Sequence, residues 1–430
     1  YFGTIDNPSP RAVKLMNSLG FMALKDLRTR FEGIKAENIM IPINYIKGKF
    51  SKTQKIYIDI GFKDYKKLEY KRQQALDFGF LDSSDEDFVP ATIKFEDKEL
   101  RAKIRLKGDL PDHFEGDKWS FRIKIKNDKT LFGLESFSIQ DPDTRNYLTE
   151  WIYHRLLEKE DLLHLKYDFV EIIINGKNKG IYALEEHFDK QLMTSNKLRE
   201  GVIIKFDEDV IWEELLSQDV SSELDYFYTS EIQSFQNNTV QNNPELKSQF
   251  ETAKNLLDGF RKEMLTPEEV FDTDKLARYF AINTLIGSPH GSRWHNIRFY
   301  YNPLTSKLEP IGWDQYSGGD AWEIFNEYAS DDDDLYFWWD LVFKDDHFKQ
   351  KYFNELERIS DTDYLQIFFL ELEPEIEKNV NILRKDDFLY YFSTNFYYRN
   401  QEQIKERLRY FESLNEENSN YFEVSNKINN

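Results

Sequence analysis

The sequence predicts an α+β protein, and three features of its order say so. Apolar alternation fills residues 90–140 with a β-meander. One amphipathic helix then separates this meander from two further strands, Phe169–Ile174 and Gly180–Leu184. After Gly319 there is no further glycine and a single proline, Pro374, across a long aromatic and charged tail, the composition of a helical half.

The elements follow in chain order. Residues 9–33, with Leu15, Met16, Leu19, Met22, Leu24 and Leu27, have the spacing of an amphipathic packing helix. Residues 38–62 alternate like strands through Ile39, Ile41 and Ile43, then Ile56, Ile58 and Ile60. The meander comprises Ala91–Phe95, Arg101–Lys107, Trp119–Lys126 and Phe137–Ile139. In its third strand Trp119, Phe121, Ile123 and Ile125 take one face and Lys118, Ser120, Arg122, Lys124 and Lys126 the other. A helix is expected from about Asp143 to Leu157; its stripe is Leu148, Trp151, Ile152 and Leu156, and Arg145 and Glu150 are charges near its first turns. Asn175-Gly176-Lys177-Asn178-Lys179 is a hairpin turn signal.

Composition narrows the function classes. The formal net charge of −21 argues against nucleic-acid binding, which needs a basic face to release phosphate counterions. With no cysteine, thiol catalysis, disulfides and cysteine zinc sites are excluded. No apolar run is long enough to span a bilayer. The chain opens on Tyr1 rather than Met, which reads as a fragment or processed form, with room for a targeting segment or membrane anchor upstream. No P-loop, GxSxG or HExxH motif occurs.

The most informative stretch is RWHNIRFYYNPLTSKLEPIGWD, residues 293–314. Ile297, Phe299 and Tyr301 alternate, residues 302–307 break the pattern, and Leu308–Trp313 return. A hairpin turning near 304–305 places Asn296 opposite Trp313 and Asp314. An amide beside a carboxylate suits a hard divalent cation, and kinases hold their metals with such a pair. Strand-end capping is the competing reading of the same two residues. His290 and His295 with Asp314 could alternatively form a transition-metal site, and Ser330 to Asp334 is a solvated acidic loop without EF-hand spacing. A β-rich half followed by a helical half with this hairpin is the layout of a protein-kinase-like two-lobed fold, with nucleotide between the lobes.

Five segments in order, RLKGD (105–109), DKWSFRIKIK (117–126), YDFVEIIINGKNKGIYALEEHFDKQL (167–192), GVIIKFDED (201–209) and HNIRFYYNPLTSKLEPIGWD (295–314), resemble the CotH family of atypical protein kinases from about residue 55 to about 320. The resemblance implies ATP- and Mg²⁺- or Mn²⁺-dependent transfer to a Ser or Thr of a protein substrate. Same-fold alternatives are AMP transfer and amino-acid ligation; a pseudokinase scaffold of the cell envelope is another. It implies nucleotide contacts from Lys107, Lys118, Glu186 and Lys205, with Glu150 as the helix acid pairing with a lobe lysine by analogy with kinases. Asn296 and Asp314 are the implied metal ligands. The bacterial source it implies leaves an extracytoplasmic or membrane-associated location open.

Three departures from the family's pattern are present. The loop Gly287-Ser288-Pro289-His290-Gly291-Ser292-Arg293-Trp294 has no carboxylate where the family keeps one, so His290 is the expected base. Trp313-Asp314-Gln315-Tyr316 lacks the family's second acid, and Lys107-Gly108-Asp109 replaces its Arg-Gly-Asn. The expected organisation is an extension over 1–89, a kinase-like N-lobe over 90–190, a C-lobe with the hairpin over 191–345, and a helical extension over 346–430.

Overall fold

The computed structural model describes residues 41–208, 223–315, 319–328 and 337–410. The expected helix over 9–33 and the acidic run at 330–334 lie outside them.

The meander forms as expected and closes on itself. Strands β1 (Lys55–Ile60), β2 (Val89–Phe95), β3 (Lys98–Leu106), β4 (Phe121–Ile125), β5 (Ser136–Gln140), β7 (Tyr167–Ile174) and β8 (Lys177–Glu186) make a barrel in the order β1-β2-β3-β4-β5-β8-β7. Its pairs are antiparallel except β1 with β7, which are parallel. Period-two alternation sends Ile58, Ile93, Ile104, Ile123, Phe137 and Ile172 into one dry interior. The helix Phe62–Phe78, which follows β1, adds Leu68 and Ala75 to that core.

A second sheet stands in the other half, in the order β10-β9-β11-β12-β6: β6 (Leu163–His164), β9 (Ile203–Phe206), β10 (Ile232–Ser234), β11 (Arg298–Asn302) and β12 (Lys307–Gly312). The predicted hairpin is β11–β12, with Asn302 opposite Lys307. Around it pack α1 (Thr149–Lys159), α2 (Pro244–Arg261), α3 (Thr273–Leu285), α4 (Asp346–Ser360) and α5 (Thr362–Leu383), and a helix over 395–410. Trp294, Trp338, Trp339, Tyr279 and Phe280 are buried in the aromatic core they share. The α+β class is as read from the sequence. The β-rich part, however, is a closed barrel, and the second half carries a five-stranded sheet as well as its helices.

Two local readings are corrected. Residues 41–50 form a helix rather than a strand; it buries Asn44 and Gly48, four residues apart, and leaves Ile43 and Ile46 exposed, so the short apolar alternation does not mark a packed face. The helix expected from Asp143 begins at Thr149. Asp141 caps a 3-10 turn over Pro142–Arg145, and Asn146 and Tyr147 take left-handed φ values of 49° and 56°, breaking the chain before α1. That break frees Arg145 from the helix surface and lets it reach the end of β12. Among the described residues no helix is long and apolar enough to cross a membrane.

Candidate functional site

The site is built at the end of the β11–β12 hairpin, where it meets the outer wall of the barrel. Asp314 follows β12 with φ of 58°, a left-handed conformation that an Asp tolerates better than most residues. Its backbone is held by Glu150 of α1, whose two carboxylate oxygens accept the N–H groups of Asp314 and Gln315, each at 2.7 Å. The Leu165 N–H donates to His154 Nδ1 at 3.2 Å, which leaves the ring proton on Nε2, 3.3 Å from Glu150 Oε1. Gln315 is tied to Ser288 at 2.8 Å and to Asn283 at 3.2 Å, so the 288–292 turn and the hairpin end form one rigid block.

Side-chain partners decide what Asp314 can do. Arg145 donates from Nε to Oδ1 at 2.6 Å and also from Nη2, and His290 Nε2 lies 3.2 Å from Oδ2. Burial alone would raise this carboxyl. The adjacent Arg145 guanidinium, the His290 hydrogen bond and the charge of Lys107 outweigh it and hold Asp314 well below the usual carboxylate range. The expected juxtaposition of Asn296 with residues 313–314 forms through the backbone: Trp313 Nε1 donates to the Asn296 carbonyl at 2.7 Å. The Asn296 amide itself donates to the His290 carbonyl at 3.2 Å.

The barrel supplies the facing wall. Strand register aligns Arg105, Arg122, Ser138, Glu185 and Tyr167 in one row across five strands. Lys107, just past β3, reaches back to that row, with Nζ 2.7 Å from Glu185 and 2.8 Å from Gln140. Arg122 Nη1 is buried with no hydrogen-bond partner, and burial pulls its guanidinium down to about 10. From the second sheet come Lys205, 3.2 Å from Glu208, and Arg298, whose guanidinium lies over the Trp313 ring.

The remaining expected residues fall elsewhere. Lys118 is held by Asp386 at 2.8 Å and by the Ile181 carbonyl, with Asp141 at 3.6 Å, rather than by Glu185. Glu186 accepts from the Lys166 N–H at 2.9 Å and the Ser195 hydroxyl at 3.0 Å, which makes it a bracket for the turn before β7. Its neighbour Glu185 takes the cleft position instead. Strand alternation contained that signal, since Ile181 and Ala183 pack on the helical side while Tyr182 and Leu184 enter the barrel. Glu150 binds two amides rather than a lysine. Arg145 carried no assignable signal, because only the break before α1 sends it toward a residue 169 positions away.

The Asp109 carboxylate has no hydrogen bond or ion pair among the described residues. It lies on the loop after β3 with exposed surface. Protein crowding around its carboxylate, followed by the charges of Glu208 and Asp314, pushes it up to about 7 against the pull of Lys107 and Lys205.

Residues 104–425 match the family described as CotH kinase protein. The chain belongs to the CotH kinase family. The CotH match begins in β3 and continues through the C-terminal helices, so it takes in both walls of the cleft and the whole hairpin. The inner spore coat protein H of Bacillus subtilis (strain 168) is similar, with 26% identity over 250 residues. That alignment covers 54% of this chain and 62% of the CotH relative.

Proposed function

We propose that the chain uses ATP to phosphorylate a hydroxyl of a protein substrate in the cleft between barrel and second sheet, as a kinase-like two-lobed protein would. The observation that carries the reading is the Lys107–Glu185 ion pair, 2.7 Å long, with side chains only 12% and 4% exposed. A buried lysine fixed by an acid is how kinases aim an ammonium at nucleotide phosphates. Lys205, Arg298 and the unpartnered Nη1 of Arg122 add positive charge for the rest of the polyphosphate. The protein substrate, and any surface or envelope location of the kind the spore-coat relative's name suggests, belong to this proposal.

A divalent ion at Asn296 and Asp314 is a separate matter. Oxygen donors suit Mg²⁺ or Mn²⁺, but Arg145 and His290 engage both Asp314 oxygens. Among the described residues no group of three His or acidic side chains could hold a metal. The pair does not fit a metal clamp as arranged, because both Asp314 oxygens are already engaged. Arg145 supplies the positive charge that Asp314 faces.

The Arg145–Asp314 contact and the carboxylate-free 287–294 loop also support a second reading, a nucleotide-binding scaffold without transfer. ATP labelled on either the α or the γ phosphate separates the possibilities. Protein-bound γ label supports the kinase and α label supports AMP transfer. An ATP-induced rise in melting temperature without either label supports the scaffold, and no rise at millimolar ATP removes nucleotide binding altogether.

A further inference from the structure

Transfer to a hydroxyl needs a group to take its proton, and the 287–294 loop has no carboxylate to do so. The other acids described around the cleft are engaged. Asp314 holds Arg145 and His290, Glu185 holds Lys107, and Glu208 holds Lys205 and lies 3.6 Å from Arg298. Glu150 holds two amides, and Asp112, on the same loop as Asp109, faces the Arg145 guanidinium. His290, the base expected from the sequence, turns Nε2 onto Asp314. Asp109 has no hydrogen bond or ion pair on its carboxylate among the described residues, and the cations nearest it are Lys107 and Lys205.

Its backbone is nevertheless fixed. The Leu81 N–H donates to the Asp109 carbonyl at 2.8 Å. Gly108 has φ of 92°, and a Cβ there would run into the His113 ring, so the loop folds back tightly at that point. His113 Nδ1 lies 3.0 Å from the Ser120 hydroxyl, which closes the loop on β4. The charges facing the carboxylate are Lys205 on β9, Glu208 just past it, Asp314 beyond β12, Lys107 beside it, Arg105 on β3 and Arg298 on β11. A rigid loop thus presents one open carboxylate beside the cations proposed to bind phosphates.

We propose that Asp109 is the catalytic base, taking from the barrel side the part that the 287–294 loop cannot play. The proposal rests on the phosphotransfer reading. The substrate hydroxyl oxygen forms a bond to the γ-phosphorus. The bond from that phosphorus to the β,γ-bridging oxygen breaks, and its electron pair leaves on ADP. The hydroxyl proton passes to the Asp109 carboxylate and then to water. Proton transfer in a loose transition state comes late, so a carboxylate titrating near neutrality suffices. The reaction requires its ionised form, so the rate rises with pH through about 7 and then levels.

The test follows γ label from ATP into the full chain itself and into dephosphorylated casein between pH 5.5 and 8.5. Asp109→Asn should lower the rate about 100-fold, flatten the pH profile and leave the ATP-induced melting shift in place. Asp109→Glu, which restores a carboxylate, should recover part of the rate. Its recovery also shows that a loss in the Asn variant is not misfolding. If the parent transfers label and Asp109→Asn keeps both rate and profile, Asp109 is not the base and the kinase reading stands. If the parent transfers no γ label, that reading fails and this assignment fails with it.

Discussion

Asp314 shows how one residue's partners set its role. A carboxylate held for a metal would be repelled by its neighbours and tolerate removal, whereas this one neutralises a buried guanidinium. Arg145 and Asp314 have side chains only 7% and 9% exposed, and removing one member of such a pair leaves an uncompensated charge. Asp314→Ala should therefore destabilise the protein by about 3–5 kcal/mol. Arg145→Met with Asp314→Ala should cost less than the sum of the single changes in a double-mutant cycle. Denaturant midpoints check this; an unchanged midpoint for Asp314→Ala would restore the metal-ligand role. Asp109 gives a pH prediction of its own. An unfolded chain releases this proton near 4, while the folded protein keeps it to about 7. Between those values the folded state binds more protons, so this group makes stability fall as pH rises. Asp109→Asn should flatten that part of the slope, read from urea midpoints at pH 5 and 7.5.

At the scale of an element, β8 separates two adjacent acids into two jobs. Glu185 leaves the barrel wall toward the helical half and fixes Lys107, while Glu186 braces the backbone at Lys166 and the hydroxyl of Ser195. Glu185→Gln keeps the shape and loses the charge that aims Lys107. Label transfer should fall about 10- to 100-fold through misplacement of that ammonium. Glu186→Gln should lower stability by about 1 kcal/mol and leave transfer unchanged. Parallel rate and melting measurements on the two variants would refute the division if both behaved alike.

At the scale of the molecule, closure of the barrel makes the segment before residue 90 part of the fold. β1 pairs with β2 on one side and β7 on the other. Starting the chain at residue 90, the expected edge of the N-lobe, would leave β2 and β7 as open edges and uncover Ile93 and Ile172. Such a truncation should aggregate or melt without a cooperative transition, whereas the full chain should melt cooperatively. Circular-dichroism melts with sedimentation distinguish the outcomes; a soluble, cooperatively melting chain from residue 90 would make the first strand dispensable.

The sequence by itself determined the α+β class, the strands of the meander, the Asn175–Lys179 turn and the hairpin that brings Asn296 opposite residue 313. Each depends on local periodicity or turn chemistry, which acts over a few residues. It also carried the CotH resemblance, because five short motifs keep their order along the chain. Only the tertiary structure decided barrel closure, since β1 and β7 are joined across more than a hundred residues. It also decided the fate of each charge. Which carboxylate meets Arg145, which of two neighbouring glutamates reaches Lys107 and which aspartate is left open depend on how distant elements pack. Coulomb energy and desolvation act through space, and no spacing along the chain encodes them.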